Sequence, residues 1–201
     1  DQVDNLAKPC YDFRSMAPAM GYLQDLTSSL NQLGWGVYQT DHEDGNGQYE
    51  INFDYQDALT TADRITFFKM ATSQIAKRYG AIATHMAKPF GDRTGSGLHV
   101  HFHLADAESG KCVFDDSSDT RGLECSQLGY HFVGGILKHA RALCAVASPT
   151  INCYKRLKLG SGIFSSRSGF TWTPAFITYG DNNRTQMIRT AGPGHFEDRT
   201  V

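Results

Sequence analysis

The residues best placed to do chemistry lie between positions 88 and 103, in Lys-Pro-Phe-Gly-Asp-Arg-Thr-Gly-Ser-Gly-Leu-His-Val-His-Phe-His. Side chains along a strand alternate with a period of two, so an extended backbone over 98–104 would put His99, His101 and His103 on one face. Ahead of them, Gly91, Gly95 and Gly97 let the backbone take positive φ, approach a ligand closely and offer N–H groups to an anion. Each part also has an ordinary use. Glycines in a loop make turns, and a His-x-His pair in a strand is often structural.

Two further groups point to charge handling. Glu43 and Glu50 flank the turn cluster Asp44-Gly-Asn-Gly47, so a hairpin there would bring two carboxylates together, and Glu197 falls in a late strand-like stretch. Carboxylates with one imidazole suit Mg²⁺ or Mn²⁺, although Glu43 and Glu50 could equally be solvated hairpin charges. Arg156, Arg184, Arg189 and Arg199 all lie in the last quarter. Guanidinium binds carboxylate and phosphate bidentately, and four arginines exceed the need of one small carboxylate, which points to two anions. Paired instead with surface acids, each would contribute only about 0–1 kcal/mol.

The rest of the chain must position these groups. With 201 residues, 40% of them apolar, it can bury a core as one domain, and a net charge of −2 without a basic stripe argues against nucleic acid. No run of 18 apolar residues or basic-then-apolar leader is present, so neither membrane nor secretion is indicated. Five scattered cysteines without a CxxC fit a reducing, cytoplasmic setting better than a disulfide framework. The non-Met start and the strand-like end without a turn lead us to expect a fragment.

Apolar spacing predicts a helix from Ser15, as its cap, to Leu33, a hairpin of strands 35–41 and 48–55, and a second helix over 60–79. Strands are expected at 81–86 and 98–104, followed by a polar surface excursion over 106–122. A third helix over 132–147 contains Gly134-Gly135, which close packing would explain. Strands at 175–179, 185–189 and 195–199 follow the Ser/Gly-rich stretch 160–169. The expected class is α+β, a largely antiparallel curved sheet forming a partial barrel with flanking helices.

In order, the chain carries Lys88-Pro-Phe with Gly95-Ser-Gly-Leu-His-Val-His101, Gly134-Gly-Ile-Leu-Lys-His-Ala140, Asn152-Cys-Tyr-Lys-Arg156, Asn183-Arg184 and Phe196-Glu-Asp-Arg199. This order resembles the glutamine synthetase family. Residues 1–201 look like the central part of its catalytic domain, without the N-terminal β-grasp domain, the first catalytic strand and the C-terminal helices. The resemblance implies an ATP-dependent ligase that joins an amine to the γ-carboxylate of L-glutamate through γ-glutamyl phosphate. It also implies two or more Mg²⁺ or Mn²⁺ ions and a large ring-shaped homo-oligomer with shared active sites.

By matching positions, Glu43 and Glu50 would bind one ion, and His99 and Glu197 another. The nucleotide would meet His101, His103 and His195, with Arg184 and Arg189 on its phosphates. Glutamate would be held around Thr94, Gly95, His99, Arg156 and Arg199, and Tyr11 would lie near the amine. Glu43, Arg156 and Arg184 would act on the reacting groups, mostly by positioning and electrostatics.

Two departures bear on the substrate. Thr94 stands where typical members have Asn before the loop glycine. Trp172 aligns with a Glu that in typical members binds and deprotonates ammonium. An indole face holds an alkylammonium by about 0.5–2 kcal/mol of cation–π attraction. With His42-Glu-Asp-Gly-Asn-Gly-Gln-Tyr-Glu50, this resembles the branch of γ-glutamylmethylamide synthetases, so methylamine is the expected amine and ammonium the alternative. Other classes fit less well. A cupin-like metal oxygenase leaves the four arginines unexplained, and a non-catalytic ligase-fold scaffold would not need the full set of Glu43, Glu50, His99, Arg156 and Glu197.

Overall fold

A computed structural model of the chain describes residues 4–7, 9–157, 173–181 and 186–190. They fall into two compact units, one ending at Ser96 and the other beginning at Gly97.

In the first unit the chain enters α1 (Phe13–Met16), passes a 3₁₀ turn over Ala17–Ala19 and continues as α2 (Met20–Gln32). The N-cap is Asp12 rather than Ser15, because the Asp12 carboxylate accepts the Ser15 amide at 2.8 Å. Leu23, Leu26 and Leu30 form the buried stripe of α2. Strands β1 (Val37–His42) and β2 (Tyr49–Phe53) then pair antiparallel, with Asp41 opposite Glu50 and His42 opposite Tyr49. The hairpin is entered through Gly36, at φ +64°, where a Cβ would come 2.1 Å from the Asp54 carboxylate, so only glycine fits.

Helix α3 (Ala58–Arg78) is capped by Asp57, which accepts the Leu59 and Thr60 amides, each at 3.1 Å. It closes the unit over the hairpin, and Leu26, Leu30, Trp35 and Ile75 form the core, with Tyr22, Val37, Ile51, Phe53 and Phe68 packed around them. Trp35 is central, its ring 4.9 Å from that of Phe53 and 5.3 Å from the Arg64 guanidinium.

The second unit is built on α4 (Gln127–Ala147), which starts earlier than expected because Ser126 caps it and accepts the Gly129 amide at 3.1 Å. Phe114, Val133 and Ile188 form its core. A Cβ on Gly129 would fall 2.4 Å from the Cys125 sulfur, so this glycine is the one that close packing demands. Among the described residues nothing lies within 4 Å of where a Cβ on Gly134 or Gly135 would be, which corrects the packing expected there. The stretch 106–122 is a set of hydrogen-bonded turns, in which Tyr130 donates to Asp119 at 2.7 Å and holds its carboxyl down at about 2. Helix α5 (Ile151–Leu157), absent from the sequence reading, carries Arg156.

The sheets differ most from expectation. Among the described residues they are two separate two-stranded ladders, β1 with β2, and β3 (Tyr179–Asp181) with β4 (Ile188–Thr190), the latter parallel. No partial barrel is formed by them. Among the described residues, 81–86 and 98–104 form no ladder, and next to them Ala105 bridges to Cys112. Alternating sequence makes a strand only where a neighbour takes its N–H and C=O groups, and here both segments leave apolar side chains outside, Ile82 at 95% exposure. The expected strand 195–199 lies outside the described residues.

Because Trp35 joins α2, the hairpin and α3 in one core, Trp35→Ala is expected to cost about 3–5 kcal/mol of unfolding free energy in urea denaturation. A loss under about 1 kcal/mol would show that the core does not depend on it.

Candidate active site

The hairpin of the first unit carries the acidic centre. The Glu43 amide donates to the Gln48 carbonyl at 2.8 Å, one step beyond the His42–Tyr49 pair, so Glu43 and Glu50 are diagonal neighbours on one face. Burial, then a hydrogen bond with Glu50, then the Glu50 charge push the Glu43 carboxyl up to about 7. The Asp44 charge adds to this, while the Asp44 amide, donating to Glu43 Oε2 at 3.1 Å, works against it. Asn52 donates to Glu50 Oε1 at 3.0 Å and fixes the second carboxylate. The raised Glu43 carboxyl holds its proton beside Glu50, and all the donor atoms of the pair are hard oxygens, a set that fits Mg²⁺ or Mn²⁺ in exchange for that proton.

Behind the pair lies an anchor that the sequence reading missed. His42 and Asp4 are both buried to 1% exposure, with His42 Nε2 2.8 Å from Asp4 Oδ2 and His42 Nδ1 2.6 Å from the Glu43 carbonyl. Asp4 also accepts from Asn46 at 3.1 Å and from the Gly47 amide at 2.6 Å. Burial raises the Asp4 carboxyl, but Asn46, Gly47 and His42 together hold it below its ordinary value. A separation of 38 residues hid this partnership in a polar lead segment. Tyr11 is held here too, its amide donating to the His42 carbonyl at 2.9 Å, and it adopts φ +61°, a conformation costly for a non-glycine residue.

The loop before the histidines is tied to the same turn. Thr94 Oγ1 donates to Asp44 Oδ2 at 2.8 Å, and Gln48 Nε2 donates to the Gly95 carbonyl at 3.0 Å. Lys88, almost wholly buried, donates to the Arg93 carbonyl. None of Gly91, Gly95 and Gly97 takes positive φ, so the expected backbone nest is not what these glycines build. At Gly97 the backbone lies close to two site side chains, since a Cβ there would come 3.3 Å from Arg156 Nη2 and 3.5 Å from His99 Nε2.

In the second unit that proximity groups Gly97, His99 and Arg156. Burial pulls the Arg156 guanidinium below its ordinary value, and the charge of Cys153 offsets this in part. His99 and His101 are exposed and His103 half-buried, while Arg189 sits on β4 opposite Gly180. Trp172, Arg184, His195, Glu197 and Arg199 lie outside the described residues. Among the described residues no three His, Cys, Asp or Glu side chains form a metal cluster, so the structure brings together Glu43 and Glu50 but not a fuller ligand set.

Residues 2–200 match the family model for the glutamine synthetase catalytic domain. The chain belongs to the glutamine synthetase family. Within that family it is 48% identical over 192 residues to the glutamate–methylamine ligase of Methyloversatilis universalis, covering 96% of this chain and 42% of that protein. It is 44% identical over 199 residues to the glutamine synthetase of Rhizobium meliloti, covering 99% and 44%. The solved structure of a GmaS–ADP complex superposes with a TM-score of 0.84 at 44% identity, over 94% of this chain and 42% of that one. For the Plasmodium falciparum glutamine synthetase the TM-score is 0.71 at 29% identity, over 85% and 30%. The chain thus spans less than half the length of the family members it matches. Among the described residues no helix is long and apolar enough to cross a membrane.

The Glu43 shift has a sign that can be tested. A carboxyl whose proton is held more tightly in the folded state, at about 7, than its ordinary value of 4.5 costs stability progressively as pH rises through that window. In EDTA, the fall in Tm between pH 5 and pH 8 is expected to shrink in Glu50→Gln, which removes the opposing charge, and to shrink further in Glu43→Gln. An unchanged fall in both variants would contradict the raised Glu43 carboxyl and its coupling to Glu50.

Proposed function

We propose that the protein carrying this chain is an ATP-dependent carbon–nitrogen ligase that joins methylamine to the γ-carboxylate of L-glutamate, giving γ-glutamylmethylamide. The observation that carries this reading is the Glu43–Glu50 pair, a divalent-cation site by its chemistry, in a chain 48% identical to a glutamate–methylamine ligase.

In this mechanism a γ-carboxylate oxygen of glutamate attacks the γ-phosphorus of ATP and ADP departs. The amine nitrogen, after losing a proton, then attacks the acyl carbon and expels phosphate. Bound Mg²⁺ or Mn²⁺ supplies neutralisation of the phosphate charge. Glu43 and Glu50 would hold one such ion, and His99 with Glu197 a second. Arg156, Arg199 and the main chain at Gly95 orient glutamate, while Arg184 and Arg189 stabilise charge on the transferring phosphoryl group. His101, His103 and His195 line the nucleotide, and Tyr11 and Trp172 shape the amine pocket. Trp172 there favours a methylated ammonium over ammonium itself.

In the whole enzyme the fold is α+β with a largely antiparallel curved sheet and flanking helices. The enzyme works in the cytoplasm as a ring-shaped homo-oligomer. Glutamine synthesis from ammonium is the second reading, favoured by 44% identity to a glutamine synthetase.

The test is ADP release by the full-length protein with ATP, Mg²⁺ and glutamate, comparing ammonium, methylamine and ethylamine. Methylamine is expected to give the highest kcat/KM, and Trp172→Glu to shift preference toward ammonium by about tenfold or more, the equivalent of about 1.4 kcal/mol. Faster turnover of ammonium by the unaltered protein would establish glutamine synthesis instead.

A further inference from the structure

Asp44 and Gln48 belong to neither the carboxylate pair nor the substrate-facing set, yet both reach across from the hairpin turn to the loop before the histidines. Asp44, 7% exposed, uses both of its ends: its amide supports Glu43 Oε2 at 3.1 Å, and its carboxylate accepts the Thr94 hydroxyl at 2.8 Å. Gln48 accepts the Gly45 amide at 2.9 Å and donates to the Gly95 carbonyl at 3.0 Å. These ties span 50 and 47 residues of sequence. Packing leaves little slack, since a Cβ on Gly45 would lie 3.1 Å from Gln48 Oε1 and 3.6 Å from the Thr94 carbonyl. Without the ties, turn and loop would each pay their own ordering entropy. With them, ordering one orders the other.

We propose that Asp44 and Gln48 are positioning residues that couple divalent-cation binding at Glu43 and Glu50 to ordering of the loop 91–96, so that cation and amino-acid substrate bind cooperatively. This rests on the cation-dependent glutamate ligase reading. A cation bound to Glu43 fixes the carboxylate that the Asp44 amide supports. Asp44 is then held in the orientation that receives Thr94, and Gly95 is held by Gln48. Thr94, where typical members have Asn, thus ties the loop to the turn. By linkage, an amino acid bound at the loop raises cation affinity by the same factor.

The probe is Mn²⁺ alone, added to the full-length protein and followed by hydrogen exchange of residues 91–96, with Mn²⁺ and glutamate binding measured in parallel by calorimetry. Mn²⁺ is expected to slow exchange in the loop at least about fivefold, the lower end of ordinary coupling. Thr94→Val and Gln48→Leu, each cutting one tie, should reduce that to less than about twofold, and Thr94→Ser, which keeps the hydroxyl, should restore it. A merely structural role would lower stability in the variants without changing the response to Mn²⁺. Equal slowing in the wild type, Thr94→Val and Gln48→Leu would overturn the coupling, as would a wild type that binds no Mn²⁺. If Mn²⁺ slows exchange but glutamate does not bind, the coupling holds and the substrate assignment fails.

Discussion

Glu43 and Glu50 stand diagonally across one face of the β1–β2 hairpin, and the burial around Glu43 makes two full negative charges there costly. The surroundings can be understood as what is needed to keep the pair together in spite of that cost. The Asp4–His42 anchor locks the end of β1, Asn52 fixes Glu50, and the Trp35 core holds the hairpin against α2 and α3. A site that stores repulsion between like charges is less stable than it could be, and is correspondingly well prepared for a divalent cation.

Local signals explain which parts of the fold were legible. The hairpin followed from alternating apolar residues around Asp44-Gly-Asn-Gly47, and α3 from its periodicity and its basic last turn, because both depend on contacts close in sequence. Asp12 displaced Ser15 as a cap because a carboxylate three residues ahead of an amide is a strong acceptor, a choice that apolar spacing does not register. The segments 81–86 and 98–104 looked like strands for a sound reason, their alternation. Strand identity also requires a neighbour, which no single segment encodes.

The site was legible to a similar depth. Residue type and the turn between them brought Glu43 and Glu50 together, and Arg156 came to Gly97 and His99 through a short helix that the periodicity did not announce. The ties made by Asp4, Asp44 and Gln48 went unnoticed because they are hydrogen bonds spanning 38 to 50 residues, with no local pattern to mark them. The glycines of the loop were noticed for the wrong reason. At Gly97 the notable feature is the close approach of a guanidinium rather than positive φ.

All of this depends on the carboxylate pair being a cation site, and proton release measures that most directly. Titrating Mn²⁺ into the full-length protein by calorimetry, in buffers of different ionisation enthalpy, counts the protons displaced per ion bound. With Glu43 protonating at about 7, its contribution should be close to one proton at pH 6, about half a proton at pH 7, and nothing in Glu43→Gln. Proton release that is the same in wild type and Glu43→Gln at both pH values would show that the Glu43 proton is not exchanged for the ion, and would contradict the account.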